Sequence, residues 1–584
     1  MKELKLYEEW LEYAAEDEDI VKELAEIKGN NDEIYERFYR ELEFGTGGIR
    51  GILGAGLARM NIYTIRKAAA GLAVTLNLND SARKNKDENC VRCERSVAIS
   101  YDSRRKSELF AKQAAMVLAA YNIKSYIFPE LMPTPALSFA VRALNCAAGI
   151  MVTASHNPAK YNGFKCYGAD GCQMTDSSAN EVLANINKLD IFRDVKVSGL
   201  NDALNAGWIE YIGNDVINDY YTNVKAQSVS PEIIANTDLK VVFSPLNGAG
   251  NKSVRNVLGQ MGLKNLSVVK QHENPDPDFT TCPYPNPEIK EALAIPLAEC
   301  ETVAADLLLA TDPDCDRVGT AVRLDSGEYK LLTGNEIGAL LLNYICERRT
   351  ENGTMPKDPI AIKTIVTTNL IKDIAKIYGV QVIDLLTGFK YIGEMIGKLE
   401  EKNEEDRYIF GVEESYGYLV GTYARDKDAV VASMLIVEMA AYYRESGVSL
   451  PQKLESLYAR HGRYFHTQSN FMFEGARGMQ KMSEIMNSLR ASPPGSIGGL
   501  KVLSREDYLI QRRIGIDSPN EEKLTLPKSD VLVYKLENNC EVAVRPSGTE
   551  PKIKAYYTAI APSLKEAEKV EGRMKESFSK IVLA

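Results

Sequence analysis

Short β-branched segments that alternate with turns and amphipathic segments are the feature that most restricts how this chain can fold. This order begins at residues 96–153, starts again at 239–310 and runs a third time through 360–444. Strands that alternate with helices favour largely parallel sheets covered by helices. The pattern changes after Pro451, where the later segments favour a different arrangement. We therefore predict an α/β protein: three consecutive similar α/β domains on mixed or parallel sheets, and a smaller C-terminal α+β domain.

The same changes of pattern predict the domain boundaries. Four domains agree with a length of 584 residues, because a domain commonly contains about 150 residues. The first domain begins with an acidic arm, residues 1–43, whose apolar residues recur at helical spacing on both sides of an acidic turn. We expect this arm to pack on the rest of its domain. The predicted domains are 1–205, 206–322, 323–455 and 456–584.

Charge and hydropathy exclude several classes of protein. The 70 Lys and Arg residues against 80 Asp and Glu residues give a net charge of −10, which is the wrong sign for a surface that binds nucleic acid. No apolar run reaches the roughly 18 residues needed to span a bilayer, and the first residues lack the apolar segment of a secretory signal. We expect a cytoplasmic protein that binds neither nucleic acid nor membrane; the sequence leaves its oligomeric state open.

The ten cysteines do not predict a metal site. Only Cys90 and Cys93 have the two-residue spacing of metal or redox pairs. Their polar segment, Asn79–Ser96, contains no second pair and no histidine. We interpret the pair as free thiols in a surface loop.

A polar loop follows the strand predicted at residues 148–153. Pro158 has no amide hydrogen and disfavours helix at the residue before it, so Ser155 and His156 are expected in a turn at the tip of the strand. Open α/β sheets bind their ligands at this end of the strands. Ser155 is therefore a candidate nucleophile, with His156 and Lys165 as polar partners. The alternative, which is commoner for such a turn taken alone, is a purely structural loop.

A second loop places Asp312, Asp314 and Asp316 directly after the apolar segment 306–310. Three carboxylates so close together repel one another unless a cation offsets the repulsion. A ligand set made only of oxygen atoms favours a hard cation such as Mg²⁺ over zinc. Arg317 follows at once and is expected to offset further negative charge. The alternative is an acidic stretch on a solvated surface.

Two more loops carry groups that suit a phosphorylated sugar. Glu413 and Ser415 would point the same way in an extended chain, as an acceptor and a donor for sugar hydroxyls, although capping of the next segment is the simpler interpretation. The loop at 545–552 has the charges, hydroxyls and glycine that hold a phosphate dianion, and its alternative is a plain hairpin connection. Together the four loops indicate phosphoryl transfer on a phosphosugar. The phosphate-binding candidates are Arg545, Ser547, Gly548 and Thr549.

In this order the loops resemble the motifs of the α-D-phosphohexomutase superfamily and, within it, of the phosphoglucomutases, which act on glucose 1-phosphate and glucose 6-phosphate. The resemblance covers essentially the whole chain, and so many motifs in one order are highly specific. One departure is Val412, immediately before Glu413. The matching segments are 45–51, 153–158, 312–317, 386–390, 411–417 and 545–552.

The resemblance implies four domains around a central cleft and an isomerase that moves a phosphoryl group within a small phosphosugar. Ser155 would carry that group and donate it to a hexose monophosphate, with glucose 1,6-bisphosphate as the intermediate. Mg²⁺ would be held at Ser155 by Asp312, Asp314 and Asp316.

The resemblance also implies the roles of the remaining residues. Arg50 and Lys165 would assist proton transfer around Ser155, beside His156. Lys390 would contact the substrate from the opposite side. The residues expected to bind substrate are Glu413, Ser415, Arg545, Ser547, Gly548, Thr549 and Arg317.

Several alternatives stay open at this point. Mannose and pentose phosphates differ little from glucose phosphate, so a phosphomannomutase or phosphopentomutase fits the same motifs. A metal-dependent phosphosugar phosphatase would need Ser155 and the three aspartates, but neither the sugar loop nor a second phosphate site. A sugar-phosphate sensor without catalysis would not need Ser155.

Overall fold

The computed structural model of the chain describes most of its length. The pair Cys90 and Cys93 lies outside the described residues, and so do Gly548 and Thr549 of the predicted phosphate loop. The described residues are 2–42, 47–84, 95–473, 476–516, 521–547 and 552–583.

The acidic arm consists of three short helices: α1 (Lys2–Tyr13), α2 (Glu18–Glu26) and α3 (Asn31–Phe38). Asp17 and Asn30 cap α2 and α3, because each side chain accepts a hydrogen bond from a backbone N–H of the first turn. Trp10 is 1% exposed, and its ring meets that of Tyr63 edge-on at 5.5 Å. The arm therefore packs on the first α/β domain, as expected.

The first α/β domain contains a six-stranded mixed sheet in the order β1-β5-β4-β2-β3-β6 among the described residues. Strands β2, β3, β4 and β6 are parallel, whereas β5 pairs antiparallel with both β1 and β4. Its elements are β1 (Gly48–Ile52), α4 (Ile62–Lys84), β2 (Ser96–Tyr101), α5 (Ser107–Ala120), β3 (Lys124–Ile127), α6 (Thr134–Ala143), β4 (Ala148–Val152), β5 (Tyr161–Gly168), α7 (Asp176–Ile186), α8 (Leu200–Asn205) and β6 (Ile209–Tyr211).

The pairing of β1 with β5 brings two distant motifs together. Arg50 lies opposite Gly163, two residues before Lys165. A Cβ atom at Gly163 would lie 2.5 Å from the carbonyl oxygen of Thr153 and 2.8 Å from that of Ile49. Glycine is therefore required here, since any side chain would separate the strand from the serine loop.

The second α/β domain contains a five-stranded sheet in the order β11-β10-β9-β7-β8 within the described residues. Strand β9 is buried along its whole length, parallel to β7 and antiparallel to β10. The elements are α9 (Asn214–Lys225), α10 (Pro231–Asn236), β7 (Lys240–Ser244), α11 (Gly250–Gln260), β8 (Asn265–Val268), α12 (Lys270–Glu273), α13 (Ala294–Val303), β9 (Leu307–Thr311), β10 (Val318–Arg323) and β11 (Tyr329–Leu332).

The third α/β domain has strands and helices that alternate through residues 360–444, as predicted. Strands β12 and β13 pair in parallel. The elements are α14 (Gly334–Glu351), β12 (Ile360–Thr364), α15 (Leu370–Ile377), β13 (Gln381–Leu385), α16 (Phe389–Glu400), β14 (Tyr408–Glu413), β15 (Gly417–Leu419), α17 (Ala429–Glu445) and α18 (Leu450–His461).

The C-terminal region is built on an antiparallel sheet of eight strands in the described residues, in the order β16-β23-β22-β21-β18-β19-β20, with β17 beside β18. The sequence predicts strands at 541–544 and 553–557 and a helix at 563–582, which correspond to β22, β23 and α20; it does not predict the other described strands of this sheet. The elements are β16 (Arg463–Met472), α19 (Ala476–Ala491), β17 (Ser496–Ile497), β18 (Leu500–Asp507), β19 (Arg512–Gly515), β20 (Glu521–Lys523), β21 (Leu532–Leu536), β22 (Glu541–Pro546), β23 (Lys552–Ala561) and α20 (Leu564–Leu583).

The chain divides into two compact units. Among the described residues, no helix is both long enough and apolar enough to cross a membrane. The first unit comprises Met1–Thr333, Phe389–Gly411 and Ser415–Tyr442; the second comprises Gly334–Gly388, Val412–Glu414 and Tyr443–Ala584.

Candidate active site

The serine loop leaves the buried strand β4 in an unusual backbone conformation. Ser155 has a φ of +52°, which L-residues other than Asn and Asp rarely adopt. Its amide donates a hydrogen bond to Thr153 Oγ1 at 2.8 Å, and its side chain is buried. The turn predicted from Pro158 therefore exists, and it holds the serine in one orientation.

The Ser155 hydroxyl meets two polar partners. Its Oγ lies 3.0 Å from Asp312 Oδ2, to which it donates, and 3.1 Å from Nδ1 of His156. Burial, together with the positive charges of Arg317 and Arg50, lowers the pKa of His156 well below its usual value. The imidazole is therefore neutral, and because the hydroxyl donates its one proton to Asp312, the His156 Nδ1–H is the donor in the second contact.

The turn between β9 and β10 gathers the three predicted aspartates. The carboxylates of Asp312, Asp314 and Asp316 are fully buried and offer oxygen atoms within 4.8 Å of one another. The turn rests on the loop after β7, where the amide of Ala249 donates to the carbonyl of Pro313 at 2.8 Å. The structure therefore brings together the carboxylates that the sequence places at alternate positions.

The pKa values of these carboxylates shift in different directions. Burial and the charge of Asp314 raise the pKa of Asp312 well above its usual value, and the same two causes raise the pKa of Asp316. Although burial raises the pKa of Asp314, the ammonium of Lys165, 2.9 Å from Asp314 Oδ2, lowers it overall. Without a cation, the cluster cannot carry its full negative charge.

This donor set fits a hard cation. Asp314 Oδ1 is buried and accepts no hydrogen bond from any described residue. Buried polar atoms without partners are rare, and ordered ions are one of the reasons for them. Because all candidate ligands are oxygen atoms, the site suits Mg²⁺ better than zinc.

Lys427 is a site residue to which the sequence analysis assigned no role. Its Nζ lies 2.6 Å from Asp316 Oδ2 and 3.3 Å from Asp426 Oδ1. The sequence signal was the charged run Arg425–Asp428, but only the fold shows which of its members reaches the aspartates.

Two arginines that the sequence predicts at the site, Arg50 and Arg317, lie in different parts of it. Arg50 Nη1 donates to Asn157 Oδ1 at 3.1 Å, inside the serine loop. Arg317 Nη1 donates to Glu288 Oε1 at 3.0 Å, and its Nε lies 3.8 Å from Asp316. Arg50 therefore lies beside the nucleophile and Arg317 beside the carboxylates.

Lys390 is held by another acidic residue. Its side chain is almost fully buried, and its Nζ lies 2.6 Å from Asp176 Oδ1 at the start of α7. The contact with the substrate that the resemblance implies for Lys390 stays a prediction.

The predicted sugar loop is not extended throughout. Strand β14 ends at Glu413, and residues 414–416 form a turn in which Tyr416 has a φ of +63°. The chain from Glu413 to Ser415 is therefore not extended, and the reason given from the sequence for the two side chains to point the same way was wrong. Glu413 Oε1 accepts a hydrogen bond from the amide of Gly388 at 2.9 Å.

The predicted phosphate loop lies between β22 and β23. The amide of Ser547 donates to the carbonyl of Lys552 at 2.7 Å, which closes the loop. Burial lowers the pKa of Arg545, but Tyr556, Glu414 and Glu413 raise it overall, so the guanidinium keeps its charge.

Comparison with known proteins agrees with this geometry. Family models described as Phosphoglucomutase/phosphomannomutase, alpha/beta/alpha domains I, II and III, match residues 41–191, 218–325 and 333–461. The phosphoglucomutase of Staphylococcus haemolyticus is 37% identical over 524 residues, which is 89% of this chain and 91% of that protein. That of Staphylococcus aureus strain USA300 is also 37% identical and covers 96% of this chain and 97% of its own length. The chain belongs to the phosphoglucomutase/phosphomannomutase family.

Solved structures of other proteins have the same fold as this chain. A phosphoglucomutase/phosphomannomutase family protein of Burkholderia thailandensis has a TM-score of 0.64 at 17% identity and covers 92% of this chain and 96% of its own. The phosphoglucomutase pp63/parafusin of Paramecium has a TM-score of 0.65 at 15% identity, with 93% and 95% coverage. The predictions of the superfamily and of three α/β domains followed by a sheet-rich C-terminal domain are confirmed.

Proposed function

We propose that this protein interconverts α-D-glucose 1-phosphate and glucose 6-phosphate through a phosphoserine at Ser155 and a glucose 1,6-bisphosphate intermediate. The observation that carries the proposal is the 3.0 Å contact between Ser155 Oγ and the buried carboxylate cluster. The choice of glucose rests on the relatives at 37% identity, whose printed name is phosphoglucomutase.

The chemistry at Ser155 is a pair of phosphoryl transfers. A hydroxyl of the hexose monophosphate attacks the phosphorus and gives up its proton to a base of the site, the bond from phosphorus to Ser155 Oγ breaks, and that oxygen takes up a proton, so that none is gained or lost overall. The neutral His156, whose Nδ1 lies 3.1 Å from the same oxygen, is placed to deliver this proton, while Lys165 beside Asp314 and Arg50 beside Asn157 are the cations of the site. The bisphosphate then returns its other phosphoryl group to Ser155.

Asp312, Asp314 and Asp316, with Ser155 Oγ, would hold Mg²⁺. Bound there, the cation would offset the negative charge that spreads over the phosphoryl oxygens during transfer. Lys165 and Lys427, which pair with Asp314 and Asp316, supply fixed positive charge on the same side.

We assign recognition of the sugar hydroxyls to Glu413 and Ser415. The phosphate that is not reacting would bind Arg545 and Ser547, with Gly548 and Thr549 of the same loop, while Arg317 and Lys390 would contact the substrate from other sides. Glucose 1-phosphate and glucose 6-phosphate would present this phosphate from opposite ends of the ring. The same loop must therefore accept two orientations of the sugar.

A coupled assay tests the proposed reaction directly. Purified enzyme is given glucose, mannose, glucosamine or ribose 1-phosphate, each primed with the corresponding bisphosphate. We expect the highest kcat/KM with glucose 1-phosphate. A higher value with mannose or ribose 1-phosphate would reassign the substrate, and release of inorganic phosphate without isomerisation would indicate a phosphatase.

Replacing Arg545 by alanine is expected to lower kcat/KM for glucose 1-phosphate and glucose 6-phosphate alike. A charge-assisted pair with phosphate contributes about 2 to 3 kcal/mol, so the loss should be roughly 30- to 150-fold. The bisphosphate should escape more often before it turns, so added bisphosphate should restore part of the activity.

The matched control is Arg573→Ala, which removes an exposed arginine from α20 of the same domain. This variant should retain wild-type kinetics in both directions. If Arg545→Ala impairs one direction only and no bisphosphate is released, the residue serves a single orientation, and the two-way phosphate site is wrong.

A further inference from the structure

The nucleophile and one residue of the second domain share a backbone conformation that the surrounding structure must support. Ser155 has a φ of +52° and Phe279, in the Pro-rich loop of the second domain, has a φ of +47°. Such conformations are strained in residues other than glycine, and they persist only where the surrounding structure enforces them. Both residues contact one side chain, that of Arg104.

Arg104 binds the backbone of the serine loop at four points. Its Nη2 donates to the carbonyl oxygen of Ser155 and, at 2.5 Å, to that of Asn157. Its Nη1 donates to the carbonyl oxygens of Pro158 at 3.0 Å and Tyr161 at 3.2 Å. A planar guanidinium with fixed donors can hold several carbonyls at once, which a lysine ammonium on a flexible chain cannot do in the same geometry.

Asp102 holds the Arg104 guanidinium on its Nε side, whereas Nη1 and Nη2 bind the serine loop. Its Oδ2 lies 3.1 Å from Arg104 Nε, and neither side chain is exposed. The same oxygen accepts a hydrogen bond from Thr153 Oγ1 at 2.7 Å, and Thr153 Oγ1 in turn accepts the amide of Ser155. One carboxylate therefore holds the serine loop by two routes, through Arg104 and through Thr153.

Phe279 covers the guanidinium. Its ring centroid lies 5.0 Å from Arg104 Cζ, and the side chain is fully buried. A cation over an aromatic face is attracted to it, more strongly where water is excluded. The second domain, which carries the aspartates, therefore also contributes to the support of the nucleophile.

We propose that Arg104, covered by Phe279, is a positioning residue that holds the Ser155 loop in the conformation from which Oγ meets Asp312. This inference rests on the proposed role of Ser155 as the phosphoryl carrier. Among the described residues, the contacts of the Arg104 side chain are with backbone carbonyls, Asp102 and the Phe279 ring, so it acts through Ser155 and not on the substrate. Its loss should therefore slow phosphoryl transfer and leave substrate affinity nearly unchanged.

The test compares variants that change the support in different ways. Arg104→Lys keeps a positive charge for Asp102 but loses the planar set of donors. The double variant Asp102→Asn with Arg104→Met removes both buried charges, so it avoids an unpaired carboxylate. Phe279→Leu keeps an apolar cover and loses the aromatic face. The control is Arg105→Met, which removes the neighbouring arginine, whose side chain is 61% exposed and pairs with Asp278.

Four quantities are measured for each full-length variant: the thermal midpoint, the fraction of Ser155 phosphorylated by glucose 1,6-bisphosphate, the single-turnover rate of transfer from the isolated phosphoenzyme to glucose 1-phosphate, and the KM for glucose 1-phosphate. Displacement of a reacting group by about 1 Å costs roughly 100-fold, so we expect a fall of that order for both Arg104 variants. We expect a several-fold fall for Phe279→Leu, and wild-type rates for Arg105→Met. KM should change little throughout.

A structural role alone would lower the thermal midpoint and the fraction of active enzyme, and would leave the transfer rate per phosphorylated serine unchanged. That result in Arg104→Lys and Phe279→Leu would overturn the inference. Phosphoryl transfer through a residue other than Ser155 would instead overturn the proposed function, and peptide mass spectrometry of the wild-type phosphoenzyme distinguishes the two failures.

Discussion

Replacing Ser155 by alanine is expected to reduce turnover by on the order of 10⁴-fold or more, since loss of a covalent nucleophile removes the step on which the others depend. The hydroxyl lies against Asp312 and His156, and both contacts lose their partner in the variant. The measurement is isomerisation of glucose 1-phosphate, with intact-protein and peptide mass spectrometry of enzyme incubated with the bisphosphate. Wild-type enzyme should gain one phosphoryl group, on the peptide that contains Ser155.

The control for this variant is Ser125→Ala, which removes a buried hydroxyl from β3 in the same domain, where its Oγ has no hydrogen-bond partner among the described residues. It should be phosphorylated and active like wild type. The proposed mechanism is wrong if Ser155→Ala keeps substantial activity, or if the phosphoryl group appears reproducibly on another residue of wild-type enzyme.

The α/β organisation could be predicted because buried strands of parallel sheets carry continuous apolar runs between turn residues. The strand expected at residues 148–153 is β4, Ala148–Val152, and the one expected at 306–310 is β9, Leu307–Thr311. Each of these strands leads into a loop with functional groups. The positions of the loops therefore followed from the strands.

The antiparallel strands could not be predicted in the same way. Strand β5 contains Asn162 and Gly163, both poor strand formers, and pairing on both sides stabilises it in spite of them. Most of the C-terminal sheet was missed because several of its strands are short and polar, β20 (Glu521–Lys523) among them. In such segments tertiary pairing outweighs local propensity.

The candidate site was likewise predictable within each loop but not between loops. Single loops could be identified from residue types, but contacts between loops could not. Ser155 and Asp312 are 157 residues apart and meet only because two sheets place their loops together. The residues next to Lys427 and Arg104 in the sequence do not indicate which partners these side chains contact. The prediction for Glu413 and Ser415 assumed an extended chain, whereas residues 414–416 form a turn.

The excess of negative charge around Ser155 predicts the second large effect, which is the loss of activity when the metal is removed. A phosphoserine adds a charge of nearly −2 to three buried carboxylates, against which Lys165 and Lys427 supply two positive charges. The excess is negative, and burial makes it costly because little water screens it. A divalent cation at the carboxylates removes most of this repulsion, so phosphorylation of Ser155 should depend on it.

Chelation is therefore expected to reduce isomerase activity to background, and added Mg²⁺ should restore it. Asp314→Asn should weaken Mg²⁺ binding, measured by titration calorimetry, by on the order of 100-fold, because the loss of even an outer partner of a metal ligand costs about 10- to 100-fold. Asp325→Asn, an exposed substitution in the turn between β10 and β11 of the same domain, should bind Mg²⁺ like wild type. Full activity in chelator, or unchanged Mg²⁺ affinity in Asp314→Asn, would mean that the three aspartates serve the buried lysines and not a cation. In that case Lys165 and Lys427 alone would have to stabilise the phosphoserine.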